Sequence, residues 1–132
     1  MAKVRLGKQL LAVTDNKIGR LEEVCSEVSA QGVNIQAIDA YASGDKANFR
    51  LLTDNNQKVR EILQAKGYKV SEQDAVMLEL PNRAGALKET GKKLKAKGLD
   101  LEYIFGTTCP EGCDCLLVFS CNDNARAVET LA

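Results

Sequence analysis

The chain reads twice. Moved against itself by 66 positions, it matches Asn16 to Asn82, Gly19 to Gly85, Leu21 to Leu87, Glu23 to Glu89, Ala30 to Ala96, Gly32 to Gly98 and Ile38 to Ile104. Conservative pairs fill the intervals: Lys17 with Arg83, Val28 with Leu94, Val33 with Leu99, Asn34 with Asp100 and Ile35 with Leu101. One register held over about two dozen residues, glycines included, is the mark of a duplicated unit, and no other feature constrains the fold as strongly.

Each copy has the same local pattern. Residues 9–13 are short and apolar, as a buried strand is. Thr14, Asp15, Asn16 and Lys17 are turn-forming, and Gly19 lets the backbone bend into a helix. Leu21, Val24, Cys25 and Val28 then recur at three- and four-residue spacing, an apolar stripe closed by Gly32 as helix cap. Alternation over 33–41 predicts a strand with Val33, Ile35 and Ala37 on one face and Asn34, Gln36 and Ile38 on the other. Ser43, Gly44 and Asp45 form a hairpin turn, and 48–53 return as a third strand. Val59, Ile62 and Leu63 mark a second helix, ended by Gly67, with 68–70 as a fourth strand. The second copy follows suit: strand 76–80, helix 85–97 with Gly98 as cap, strands 99–106 and 113–121, helix 124–131.

The order predicts an α+β fold of two tandem βαββαβ, ferredoxin-like modules, antiparallel sheets with helices on one face. The first module spans 1–70 and the second 75–132, with 71–74 as linker. The second has a short or missing fourth strand, for which the apolar pair Val4 and Leu6 is the candidate. Modules of about 65 residues have marginal cores, so the halves are expected to pack closely and a homodimer to complete the arrangement.

Composition narrows function by exclusion. Eighteen basic residues balance eighteen acidic ones, so no global field draws nucleic acid or an anionic membrane. Lys92, Lys93, Lys95 and Lys97 read as the solvated face of a helix. No apolar stretch approaches the ~20 residues of a membrane span, and the first residues lack a signal-peptide core, so a cytoplasmic protein is expected. The chain has no histidine, which removes the usual acid/base near neutral pH and triads built on it. No phosphate loop, dinucleotide fingerprint or zinc-protease motif occurs. The expectation is a protein that is not an enzyme, with no catalytic residues and no cofactor.

Five cysteines at uneven spacing make a poor disulfide framework, and free thiols are expected. Cys109, Cys113, Cys115 and Cys121 crowd into one hairpin without a Cys-x-x-Cys knuckle. Cys113 and Cys121 stand about 26 Å apart along a strand, so one metal ion cannot reach both and no metal site is expected. Cys109 with Cys113 or Cys115 across the turn remains a candidate redox pair or soft-metal site, and Cys25 reads as a small hydrophobe. Tyr41, Tyr103 and Phe105 read as packing rather than as stacking platforms.

The strand, the turn Asn16-Lys17-Ile18-Gly19-Arg20-Leu21, the helix and Gly32-Val33-Asn34-Ile35 together resemble the ACT domain family. Asn82-Arg83-Ala84-Gly85-Ala86-Leu87, followed by Gly98-Leu99-Asp100-Leu101, is a second copy of that pattern. The resemblance spans about residues 8–132, and the tandem layout is similar to stand-alone double-ACT proteins of bacteria. It implies regulatory binding of a small-molecule amino acid at the interface between modules. The binding residues it implies are Asn16, Ile18, Gly19, Leu21 and Asn34 in the first copy, and Asn82, Gly85, Leu87 and Asp100 in the second.

The chemistry of these residues accords with that role, and bland readings stand beside it. Free N–H groups at a helix start receive a carboxylate, and asparagine both donates and accepts. Equally, Gly19 and Gly85 serve a tight turn, Asn16 and Asn82 serve as turn or cap residues, and polar residues after a helix cap are common. Asp100 in place of asparagine only accepts when ionised, so the two sites are not expected to be equivalent. The alternative function is a regulatory subunit or protein-interaction module acting on an amino-acid biosynthetic enzyme. Some double-ACT proteins carry a name tying them to acetolactate synthase, although that enzyme's regulatory subunit has one ACT module and a different second domain.

Overall fold

Two strands run much longer than the sequence pattern suggests. The computed structural model describes residues 3–107 and 110–132. In it β1 covers Lys3–Asp15, followed by α1 (Arg20–Ala30), β2 (Ile35–Ser43), β3 (Lys46–Thr53), α2 (Asn56–Ala65), β4 (Lys69–Pro81), α3 (Ala86–Ala96), β5 (Leu101–Gly106), β6 (Asp114–Cys121) and α4 (Asn124–Leu131). This is a mixed α/β fold of six antiparallel strands and four helices. The stretch 71–74, expected to be a linker, lies inside β4. Ser71, Glu72 and Asp74 are exposed there while the backbone stays extended, because a strand tolerates polar side chains wherever they face water.

The chain divides into two compact units, and the divisions fall inside these long strands. One unit is Lys8–Gln73; the other is Asp74–Ala132 together with the stretch of β1 up to Gly7. In the first the strand order is β2-β3-β1-β4; in the second it is β1-β4-β6-β5. Val4 packs against the core of the second unit. The 66-residue shift carries a trace of this, since it matches Lys3 and Val4 to Lys69 and Val70, and Val70 lies in the core of the first unit.

Within each unit the hydrogen bonds correspond closely. Leu10 stands opposite Leu51 in one, Val76 opposite Phe119 in the other. The third strand is offset by two further residues because the β5–β6 hairpin is longer. A bulge interrupts β2 between Ile35 and Ala37 and β5 between Leu101 and Tyr103. The extra residue inverts the alternation expected for 33–41: Ala37 now pairs with Leu52, and Ile38 with Leu51. Asn55 caps α2 by accepting from the Lys58 amide, and Asp123 caps α4 by accepting from that of Arg126.

Each unit has its own core on the helix-bearing side. Leu10, Ala12, Val24, Val28, Phe49, Leu51, Val59 and Leu63 build one; Val76, Leu78, Leu94, Phe119, Ala127 and Leu131 build the other. Burial of each large side chain contributes roughly 1.5–3 kcal/mol, and this holds the helices to the strands. The α1 stripe is narrower than its sequence spacing suggests. Val24 and Val28 are buried, Cys25 is half-buried, and Leu21 is 55% exposed.

Candidate ligand site

Leu21 is exposed and lines the mouth of a recess. The β1–α1 turn places Gly19 at φ 94°, ψ 1°, and Gly85 at φ 87°, ψ −9°. Side chains avoid this left-handed region, so glycine makes each turn possible. Glu23 and Glu89 make the first helical bonds back to Gly19 O and Gly85 O, both at 3.1 Å. No side chain caps α1, so the N–H groups of Leu21 and Glu22 stay open at the positive end of the helix. Asn16 fixes the turn from the other side, donating its N–H to Asp45 O at 2.8 Å; Asn82 does the same to Cys113 O at 2.7 Å.

Around the first turn lies a recess of about 230 Å³, lined by Asn16, Lys17, Gly19, Leu21, Tyr41 and Asn48 among others. Its repeat-related partner, about 150 Å³, is lined by Asn82, Arg83, Leu87, Thr107 and Cys115 among others. Asn48 is the residue that sequence reasoning missed. Its Nδ2 is buried without a hydrogen-bond partner among the described residues, a costly state that an acceptor group would relieve. The residue in register with it is Leu116. This exchange of amide for apolar side chain was visible in the sequence once the hairpin offset was known. Tyr41, expected to serve in packing, lies under the Arg50 guanidinium, whose carbon is 5.1 Å from the ring centroid.

The remaining sequence-derived residues are not all brought together. Ile18 is fully exposed at the tip of the turn. Asn34 and Asp100 sit at the far ends of α1 and α3, each helix eleven residues long, which is about 16 Å at the usual rise. One small ligand in one module cannot touch both Gly19 and Asn34. Asp100 borders a separate, open groove with Gly98 and Leu101. Gly85 itself does not line the second recess; its neighbours Arg83, Ala86 and Leu87 do.

Charge around the first recess is largely committed. Arg20 donates from Nε to Asp15 O and from Nη1 to Glu23 Oε1, both at 3.0 Å. Tyr68 donates its hydroxyl to Glu23 Oε1. That bond, helped by Arg20, holds the Glu23 carboxyl below its ordinary range against the opposing effect of burial. Burial, then Glu23, pushes the Tyr68 hydroxyl up to about 12. Lys46 bonds Asp15 at 3.0 Å, which lowers the Asp15 carboxyl and raises the Lys46 ammonium. Lys17 forms no ion pair among the described residues and remains the one uncommitted cation at the recess. The recess therefore offers hydrogen-bond donors and a positive charge.

Among the described residues no group of three or more His, Cys, Asp or Glu is placed to hold a metal. Cys25, Cys115 and Cys121 carry free thiols. Cys113 departs from the expectation of free thiols, being disulfide-bonded; Cys109 lies outside the described residues. Among the described residues no helix is long and apolar enough to cross a membrane.

No model of a known family matches the chain, and no curated protein matches it. Solved structures do. The chain is similar to a protein of Bacteroides thetaiotaomicron at 25% identity and a TM-score of 0.88, covering 97% of this chain and 88% of that one. It is similar to the ligand-free regulatory subunit of aspartate kinase from Thermus thermophilus at 14% identity and a TM-score of 0.66, covering 97% and 93%. A third likeness is to a putative C-terminal regulatory domain of aspartate kinase from Porphyromonas gingivalis, at 14% identity and a TM-score of 0.61, covering 99% and 94%. The fold is thus one shared with regulatory parts of aspartate kinase.

Proposed function

We propose that this chain is a regulatory protein built from two ACT-like βαββαβ modules, and that it binds an amino acid at the Gly19 turn. The observation that carries the reading is the buried, unpartnered Nδ2 of Asn48, in the recess that also contains Gly19, Leu21 and Lys17. A carboxylate there would accept from the Leu21 and Glu22 amides and from Asn48, with Lys17 supplying charge. The fold shared with aspartate kinase regulatory subunits supports it. The second module is the weaker site, since Leu116 replaces the amide donor and Arg83 is already paired with Glu89 at 3.1 Å.

Exposed Ile18 and Leu21 beside the recess suit closure by a second copy of the chain, as a homodimer. Asn34 and Asp100 belong to this reading only as residues that such a second copy brings. The protein has no catalytic role in this reading, and binding shifts either its own assembly or its grip on an enzyme. A second reading, a regulatory subunit of an amino-acid biosynthetic enzyme, is favoured by the names of the aspartate kinase neighbours over an acetolactate synthase partner.

The test is a thermal-shift screen of the full chain against the twenty amino acids. A ligand at a hundred times its dissociation constant stabilises by about 2.7 kcal/mol, several degrees for a chain this size. A selective shift that Asn48→Ala abolishes supports the site. A shift that survives Asn48→Ala and Asn16→Ala places the ligand elsewhere, and no shift at all favours the partner-binding reading.

A further inference from the structure

The units correspond so closely that a place where they differ is informative. In Lys8–Gln73 the space between β1, α1 and the end of α2 is filled by Tyr68. Its N–H bonds Leu63 O at 3.0 Å, its hydroxyl donates to Glu23, and its ring lies with the Arg20 guanidinium carbon 5.7 Å from the centroid. The residue is only 3% exposed. In the other unit the residues in register with Glu23, Arg20 and Leu63 are Glu89, Ala86 and Leu131. All three line a recess of about 200 Å³, floored by Leu78 and Leu80 and rimmed by Arg83 and Lys93. Side-chain exposure follows the difference: Glu23 is 39% exposed beneath its tyrosine, whereas Glu89 is 63% exposed.

We propose that the recess at Glu89, Ala86 and Leu131 binds a small aromatic ring bearing a hydroxyl group, held as Tyr68 is held in the other unit. The size fits: a cavity of about 150 Å³ accommodates benzene, and this recess, lined by apolar and charged side chains together, has about 200 Å³. Leu78, Leu80 and Leu131 receive the ring, and burial of its apolar area supplies the attraction. The hydroxyl donates to the Glu89 carboxylate, a charge-assisted bond that a plain hydrocarbon cannot make. Arg83, bonded to Glu89, fixes that carboxylate. The buried Thr90 hydroxyl is already engaged with Ala86 O at 3.4 Å, so it presents its methyl group to the ring. This site is separate from the Gly19 recess and does not depend on it.

The experiment is an NMR titration of the full isotopically labelled chain with p-cresol, toluene and benzoate. Saturable shifts from p-cresol at the amides of Ala86, Thr90 and Leu131 are expected, with toluene about tenfold weaker for want of the hydroxyl bond. Glu89→Ala, an exposed position that leaves the core intact, should reduce p-cresol to the affinity of toluene. Ala86→Phe fills the recess and should abolish the shifts, its own spectrum reporting whether it is folded. Equal binding of p-cresol and toluene would overturn the proposal. So would tighter binding of benzoate, which would mean that Arg83 and Lys93 select an anion, or an absence of saturable shifts at these amides.

Discussion

Asn34 and Asp54 hold one another through main chain and side chain together. The Asn34 N–H donates to Asp54 Oδ1 at 3.0 Å, and the Asp54 N–H donates to Asn34 O at 3.2 Å. In the other unit the residue types are exchanged: the Asp100 N–H donates to Asn122 Oδ1 at 3.0 Å and the Asn122 N–H to Asp100 O at 3.2 Å. Each pair thus carries one carboxylate and one amide. The apparent loss of asparagine at position 100 is a swap across the clasp, and what position 34 or 100 gives the clasp is its backbone.

The clasp predicts an order of stabilities. Asp54→Ala leaves the Asn34 N–H without its acceptor and should cost about 1 kcal/mol. Asp54→Asn should cost clearly less, because Asn122 does that work in the other unit, and Asn34→Ala should be nearly silent. Urea denaturation of the three variants checks this. A loss in Asn34→Ala equal to that in Asp54→Ala would show that the Asn34 side chain matters to the fold.

Tyr68 and Glu23 predict two limits of pH. The Tyr68 hydroxyl is raised to about 12, above the ~10 of an unfolded tyrosine. The folded chain therefore holds a proton that the unfolded chain gives up, and this contribution is complete below pH 10 and lost as pH rises toward 12. Glu23 is lowered, chiefly by the Tyr68 hydrogen bond, so its contribution is present above the ordinary glutamate range and lost as pH falls below it. Tyr68→Phe should flatten both limbs of the stability–pH profile. It should also remove a tyrosinate transition near pH 12 from an ultraviolet titration.

Gly19→Ala and Gly85→Ala should each cost about 1–2 kcal/mol, the expense of a side chain in the left-handed region. A Cβ at either position meets nothing within 4 Å, so the cost is conformational and should be alike in the two units. Calorimetric melts of the two variants test that equality. A much larger loss in one would point to a steric role for that turn.

Asn55→Ala should destabilise by about 1 kcal/mol through loss of the α2 cap, and Asp123→Ala by a similar amount through loss of the α4 cap. Asn55→Asp, which imitates Asp123, should restore what Asn55→Ala loses. Denaturant midpoints at unchanged slope would read these as changes of stability rather than of compactness.

The repeat was legible because helices and hairpins are local. Spacing within a dozen residues is enough to place Val24 and Val28 on a buried face, Gly44 in a hairpin turn, and Asn124–Leu131 in a helix. Duplication then displays the same spacing twice, and the Gly19 and Gly85 turns follow from it. The outward turn of Leu21 and the inversion of β2 after its bulge were not legible, since neither changes the residue pattern that a helix or strand requires.

Tertiary structure decided what depends on residues far apart in the chain. Val4 is an apolar residue near one end until its strand is paired; only then does it belong to the core of Asp74–Ala132. Asn48 lies on an ordinary strand until β3 is set beside the β1–α1 turn, which buries its amide at the recess. The sequence by itself determined the duplication, the order of the elements and the glycine turns, because short-range sterics and hydrophobic period dictate them. Which segment completes each unit, and which side chains meet at each recess, was settled by non-local pairing, whose partners no short stretch of sequence specifies.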